Sequence, residues 1–423
     1  MISLADRIKK HKAGKGGGIY SVCSANQLVL KAAMLHAKQN HEQLLIESTS
    51  NQVNQDGGYT SMIPADFREY VHKLAHDTGF PLQQLIFGGD HLGPNCWQHL
   101  SAEEAMAKSD VLIAEYVKAG YSKIHLDCSM SCADDPVPLS DHQVAMRAAR
   151  LCKIAEQASI QAKLPPPVYV IGTEVPVPGG SNDDEEVLQV TAVDAAAQTL
   201  AIHKEAFTKA QLIEVWPRII GLVVQPGVEF GAHSIHHYQA DKAQALSKML
   251  DTEADMVFEA HSTDYQSAEN LQQLVQDHFA ILKVGPWLTF AMREAIFALA
   301  AIEQVLCNAD VCSDIQNILL DCMQKSPGHW QKYYSQQQHQ QKIDCLFSLS
   351  DRIRYYWLEQ PVQQALAILF ENLTKQAIPL TLVSQFFPEQ FDAVNQGELQ
   401  PTPDALVIAK VRLVLQKYSQ ACQ

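Results

Sequence analysis

Short apolar runs and longer amphipathic runs alternate along the first three-quarters of this chain, and the alternation repeats eight times. The short, strand-like runs are Gly18–Cys23, Leu44–Ser48, Leu85–Asp90, Lys123–Asp127, Val168–Glu174, Ile219–Gln225, Asp255–His261 and Phe279–Val284. Between them lie segments with helical spacing of apolar residues, such as Ser101–Gly120 and Ser140–Ala162. The first of these has helix-start residues and a glycine stop at Gly120. Eight strand–helix units predict an α/β fold, a closed parallel (β/α)8 TIM barrel, over residues 1–306. Beyond that point the strand pattern stops, and residues 307–423 read as a C-terminal helical extension packed on the barrel. Within it, the Gln-rich stretch Ser335–Gln341 reads as a solvated loop or helix. The aromatic groups Tyr355–Trp357 and Phe386–Pro388 read as packing on the barrel or as a subunit contact.

Several strand-like runs end in a polar or ionisable residue: Glu47 and Ser48, Asp90 and His91, Asp127, Glu174, Gln225, His261 and Lys283. In a parallel barrel these positions converge on the C-terminal mouth, where the chemistry of this architecture is found. An open doubly wound sheet gives no reason for functional groups at nearly every strand end, so the barrel is preferred.

Composition narrows the class of partner. The chain has 423 residues, of which 47% are apolar and 19% charged, enough for a large core. A net charge of −15 with no concentrated basic face argues against nucleic acid and anionic membranes, leaving small molecules and other proteins. Met1–Lys15 is basic but lacks the unbroken apolar run of a signal peptide, and no later segment approaches a membrane span, so a cytoplasmic location is expected. Ten cysteines without a CxxC pair are expected to be reduced.

The most informative segment is Gly88–Pro94, which places Asp90 and His91 side by side where a strand opens into a Gly-Pro loop. His91 is a candidate metal ligand through a neutral ring nitrogen, and Asp90 a candidate for proton transfer on a sugar hydroxyl. Glu174, at the end of the fifth run, is a candidate metal ligand or base. His261 offers a second imidazole and His233 a third, in competition with His236 and His237 on the same loop. Ligands from separate strand ends with one open position suit a catalytic Zn2+, with Mn2+ as the alternative. Asn51, Gln52 and Asn54 suit polyol hydroxyls, and Asp127 joins Asn51 and Lys283 as a candidate substrate contact. Lys283 suits a phosphate or a Schiff base, although an inward lysine paired with Glu259 has the same sequence signature. Gly14–Gly18 lacks the GxxxxGK[ST] order, so no ATP site is evident.

Taken with these residues, the chain resembles the tagatose-bisphosphate aldolase Z-subunit family along essentially its whole length. The resemblance is carried by Gly18–Ser24, Glu47–Val53, Gly88–Pro94, His125–Cys132, Gly172–Gly180, Val224–Phe230, Phe258–Gln266 and Leu282–Pro286. That family is similar in turn to class II aldolases, zinc-dependent barrels that cleave ketose bisphosphates. The resemblance implies a proton-transferring role for Asp90, metal binding by His91 and His261, and a place for Glu174 at the opening of a Gly-Gly loop. It departs after His261, where Ser262–Tyr265 stands in place of a Gly-rich phosphate loop, so the family resemblance does not extend to that phosphate cradle.

Two expectations follow. The first is a non-catalytic, auxiliary subunit that a catalytic Y subunit needs for full activity and stability, in breakdown of galactitol or N-acetylgalactosamine through D-tagatose 6-phosphate. The alternative is a metal-dependent enzyme acting alone on a ketohexose or its phosphate by aldol steps, with net 4-epimerisation. The implied partners are the Y subunit and a ketose phosphate; a homo-oligomer stays open. Family members have also been described as tagatose-6-phosphate kinases, for which this sequence has no nucleotide motif.

Overall fold

A computed structural model of the chain describes residues 2–172 and 188–423. Eight parallel strands close a barrel: β1 (Ile19–Val22), β2 (Leu44–Thr49), β3 (Leu85–Leu92), β4 (Lys123–Leu126), β5 (Val168–Gly172), β6 (Ile219–Val224), β7 (Val257–Ala260) and β8 (Ile281–Val284). Each pairs with its sequence neighbour and β8 returns to β1, with Ile19 opposite Ile281 and Val22 opposite Val284. All eight lie within the apolar runs read from the sequence, except that β2 and β3 run one and two residues further.

The helices between strands start where the sequence offers caps. Ser101 and Ser140 each accept an amide of the first turn, and Glu104 and Gln143 bond back to them, so two otherwise orphaned donors are satisfied at each end. These helices run Ala102–Lys118 and Asp141–Ala162.

The two ends of the barrel are closed differently. At the N-terminal end the helix Leu4–Lys12 lays Leu4 and Ile8 against Ile19, Leu45, Ile220, Val257 and Ile281 in one apolar cluster. Arg7 and Lys12 donate to the carbonyls of Gly18 and Leu250, which tie the plug to the barrel floor. At the C-terminal end the interior turns polar.

The helical C-terminal region folds back on the barrel. Its last helix, Pro403–Ala421, lies against the barrel helices Gln27–Gln39, Ala268–Gln276 and Pro286–Leu306. Part of the Gln-rich stretch forms the start of the helix Gln338–Phe347. Tyr356 and Trp357 are buried, and Tyr355 meets Tyr59 of a barrel loop edge to face at 5.1 Å, so this aromatic group packs the tail onto the barrel. All ten cysteines are free thiols. Among the described residues no helix is long and apolar enough to cross a membrane.

Candidate functional site

A barrel interior is ordinarily filled with branched aliphatic side chains. Here Glu47 on β2, Lys123 on β4 and Glu259 on β7 point into it and are fully buried. Lys123 Nζ lies 2.5 Å from Glu47 Oε1 and 2.7 Å from Glu259 Oε2. Lys283 on β8 pairs with Glu47, sits 2.8 Å from Asp90 Oδ1, and is 3.8 Å from Glu259 Oε1. Gly88 makes room for this arrangement, because a Cβ there would collide with the Glu47 carboxylate.

Above this layer the strand β3 breaks its alternation. His91 takes a left-handed backbone conformation, φ 49°, and the pairing of β3 with β4 is irregular between Gly89 and Leu92. Such a conformation is costly for a non-glycine residue, and this one turns two consecutive side chains into the same mouth. His91 Nδ1 lies 2.9 Å from Asp127 Oδ2, while Asp127 is also held by the hydroxyl of Ser129. A ring whose Nδ1–H is tied to a carboxylate presents the lone pair of Nε2, the arrangement common behind metal-bound histidines. Gly93 lets the following loop come close, since a Cβ there would strike the carbonyl of Asp127.

Two further imidazoles meet His91. Ring centroids are 5.1 Å apart for His91 and His125, 5.1 Å for His91 and His261, and 5.5 Å for His125 and His261. His125 Nδ1 lies 3.0 Å from Asp90 Oδ1, whereas its Nε2 is buried with no hydrogen-bond partner among the described residues. His261 Nε2 is 3.0 Å from Glu259 Oε1. Asp90, His125, Glu259 and His261 each offer a ligand atom within 4.8 Å of the others'.

The electrostatics are lopsided. Among the described residues, the four buried carboxylates around the imidazoles, Glu47, Asp90, Asp127 and Glu259, lie against two ammonium groups, Lys123 and Lys283. Burial by itself would raise the carboxyls, but their neighbours outweigh it. His91, with His125 and His261, holds Asp90 well below the usual range; the hydrogen bond from His91 does the same at Asp127. Lys123 and His261 bring Glu259 down to about 2. Burial lowers Lys283 to about 8. Excess buried negative charge is unfavourable unless a cation or protonated imidazole compensates it, and the donor set of imidazole and carboxylate fits a divalent metal.

Asp90, His91, His261 and Lys283 therefore meet at one pocket, which Asn51 and Gln52 also line; Asp127 stands behind His91. Asn54 is turned inward, bonding Ser50 and the amides of Asp56 and Gly58, and serves the loop itself. Glu174 lies outside the described residues, as does the Gly-Gly loop after it. His233 is not brought to the cluster. The chain after β6 folds into a two-stranded ribbon, Glu229–Phe230 with Ile235–His236, whose turn points His233 at Asp344 Oδ1, 2.9 Å away on the helix Gln338–Phe347. His236 and His237 are exposed. The imidazole that joins His91 and His261 is instead His125, to which the sequence reading gave no role. Lys123, His125 and Asp127 recur at every second position, so period-2 reading of polar residues within an inward-facing strand would have found it. Arg354, also unread, and Tyr355, read as packing or a subunit contact, reach the same pocket from the C-terminal region.

A family model described as D-tagatose-1,6-bisphosphate aldolase subunit GatZ/KbaZ-like matches residues 4–423. The fold is similar to a solved structure from Sinorhizobium meliloti 1021, described as a probable tagatose 6 phosphate kinase. That similarity has 46% identity and a TM-score of 0.89, covering 96% of this chain and 100% of that one. Weaker matches include the YdjI aldolase of Escherichia coli K12, at 11% identity and TM-score 0.41 over 87% of this chain and 97% of that one. Another is the fructose-bisphosphate aldolase of Campylobacter jejuni, at 14% and 0.44 over 88% and 95%. Likeness at that level carries no argument about chemistry.

Proposed function

The chain belongs to the D-tagatose-1,6-bisphosphate aldolase subunit GatZ/KbaZ-like family, and from that premise we propose that its own barrel mouth binds a divalent metal and a ketose phosphate and performs aldol chemistry on it. One observation carries the reading: the surplus of buried carboxylate around three converging imidazoles, one of which has a buried nitrogen with no hydrogen-bond partner among the described residues. A mouth with no ligand to hold gains nothing from these charges, because burying them costs more than packing it with apolar side chains of similar volume.

His91, His125 and His261 would hold the ion, Zn2+ or Mn2+, with Glu174 as a further ligand. Bound there, a metal supplies Lewis-acid polarisation of the ketose carbonyl. Asp90 takes the proton of the C4 hydroxyl as the C3–C4 bond breaks, leaving an enediolate and an aldehyde. It returns the proton when the bond re-forms on the other face of the aldehyde, and the sum is 4-epimerisation. Lys283, already paired with Glu47, fixes the Asp90 carboxylate from below. Asp127 keeps the His91 ring in one tautomer.

The second reading is the auxiliary one, in which the chain stabilises and activates a catalytic Y subunit in breakdown of galactitol or N-acetylgalactosamine through D-tagatose 6-phosphate. It is favoured by the family's description as a subunit and by Asp264. This carboxylate accepts the amides of Gly285 and Trp287, where a helix N-terminus opens beside the pocket and would otherwise suit a phosphate. The division into a barrel, residues 1–306, and a helical extension, 307–423, belongs to both readings.

Metal-loaded protein incubated with D-tagatose 6-phosphate and followed by NMR tests the first reading. Conversion to the 4-epimer, abolished in Asp90→Asn, is expected. No turnover, combined with a rise in the activity of a cognate Y subunit, would replace it with the second.

A further inference from the structure

The pocket has a metal-type cluster on one side, but the groups that ordinarily receive a phosphate are engaged. Lys283 is held by Glu47 and Asp90. The amides of Gly285 and Trp287 are taken by Asp264. Residues 173–187 contain no lysine, arginine or histidine. Among the described residues lining the pocket, one further cation remains, Arg354, and it comes from the C-terminal region rather than from a barrel strand.

Arg354 is held in a way that fixes its plane without neutralising it. Nη1 donates to the carbonyls of Ser350, at 2.5 Å, and Asp351, at 3.2 Å, and Nη2 donates to the Tyr355 hydroxyl at 2.9 Å. The guanidinium lies 4.4 Å from the Tyr355 ring centroid. Among the described residues it makes no ion pair. The carboxylate next in line, Asp351, is engaged elsewhere, with Arg293 at 2.8 Å and Thr289 at 2.6 Å. A partly buried guanidinium, pre-oriented and in no ion pair among the described residues, with Asp264 and Asp351 acting on it only from a distance, suits a planar or tetrahedral oxyanion supplied by a ligand.

Building on the function proposed above, we propose that Arg354 is the anion anchor of this mouth, and that the pocket takes an open-chain ketose with a single oxyanionic end, phosphate or carboxylate, rather than a bisphosphate. The reacting end of the sugar lies at Asp90, His91 and His261, and the anionic end at Arg354. Tyr355 is a positioning residue, since it holds the guanidinium.

The test is calorimetric titration of metal-loaded full-length protein with D-tagatose, D-tagatose 6-phosphate, D-tagatose 1,6-bisphosphate and D-tagaturonate, in wild type, Arg354→Gln, Arg354→Lys and Tyr355→Phe. Melting temperature and metal content are recorded for each. Wild type is expected to bind the monophosphate or the uronate at least tenfold more tightly than the neutral sugar, and the bisphosphate no more tightly than the monophosphate. The preferred arm tells phosphate from carboxylate. Arg354→Gln should lose that tenfold while keeping metal and neutral-sugar affinity, with Arg354→Lys and Tyr355→Phe in between. Should Arg354→Gln fail to fold, those two variants decide. Unchanged affinity for the anionic sugar in the variants would overturn the assignment of Arg354 alone. A bisphosphate bound more than tenfold tighter would overturn the single-anion claim. Wild type that binds none of the four sugars would remove the functional reading, and this inference with it.

Discussion

The two ends of this barrel are built from the same eight strands and do opposite things. At the floor, Ile19, Leu45, Ile220, Val257 and Ile281 pack under Leu4 and Ile8, a dry apolar layer closed by a helix. Two residues further along β2, β7 and β8, the inward positions become Glu47, Glu259 and Lys283. Stability is concentrated at one end, and ions that cost stability at the other. A barrel that keeps an unfavourable layer intact, with Lys123 set between two of its carboxylates, is organised for a ligand at its mouth.

The contrast between the two ends is open to substitution, first at the layer where they meet. Lys123→Met should be the most damaging, because it leaves Glu259 and one side of Glu47 uncompensated in a fully buried setting. A loss of about 3–5 kcal/mol is expected in denaturant unfolding, with loss of ligand binding as well. Ile8→Ala removes fully buried apolar volume from the floor, and should cost roughly 3 kcal/mol while leaving affinity at the mouth unchanged. Equal damage to affinity in that variant would show that the two ends are not separable.

Asp127→Asn keeps shape but frees the His91 ring. Metal affinity should fall about 10- to 100-fold, read by competition with a chelating dye, with little change in melting temperature. The smallest effect concerns pH at the floor. Burial, with help from His278 and Lys12, lowers His11 to about 4, and His11 Nε2 lies 3.0 Å from His278 Nδ1. A histidine depressed in the folded state contributes stability above its unfolded value of about 6.5, and loses it as pH falls. Melting temperature should therefore drop between about pH 6.5 and 4, and less steeply in His11→Gln.

How much of this was legible depended on the range of the cause. Strand placement was legible because each run is short, apolar and punctuated, and the observed strands sit within or one to two residues beyond the runs. Asp90 and His91 were legible as neighbours at a strand end, though not the left-handed turn at His91 that brings both inward. Asp127 was read as a strand-end residue, but Lys123 and His125, four and two positions before it, were given no role, since polar residues on alternate positions of a central strand look like an exposed face. His233 was misleading because a local ribbon, invisible to periodicity, turns it toward Asp344. Arg354 could not have been read, because only the folding of the C-terminal region over the barrel brings it to the mouth.

Metal content of tag-free protein purified without chelator and incubated with Zn2+ or Mn2+, measured by mass spectrometry beside His125→Ala, decides whether the barrel mouth holds an ion. Stoichiometric metal in wild type and its loss in the variant are expected, with the circular dichroism of the two unchanged. Wild-type protein that stays metal-free would contradict the proposed metal site.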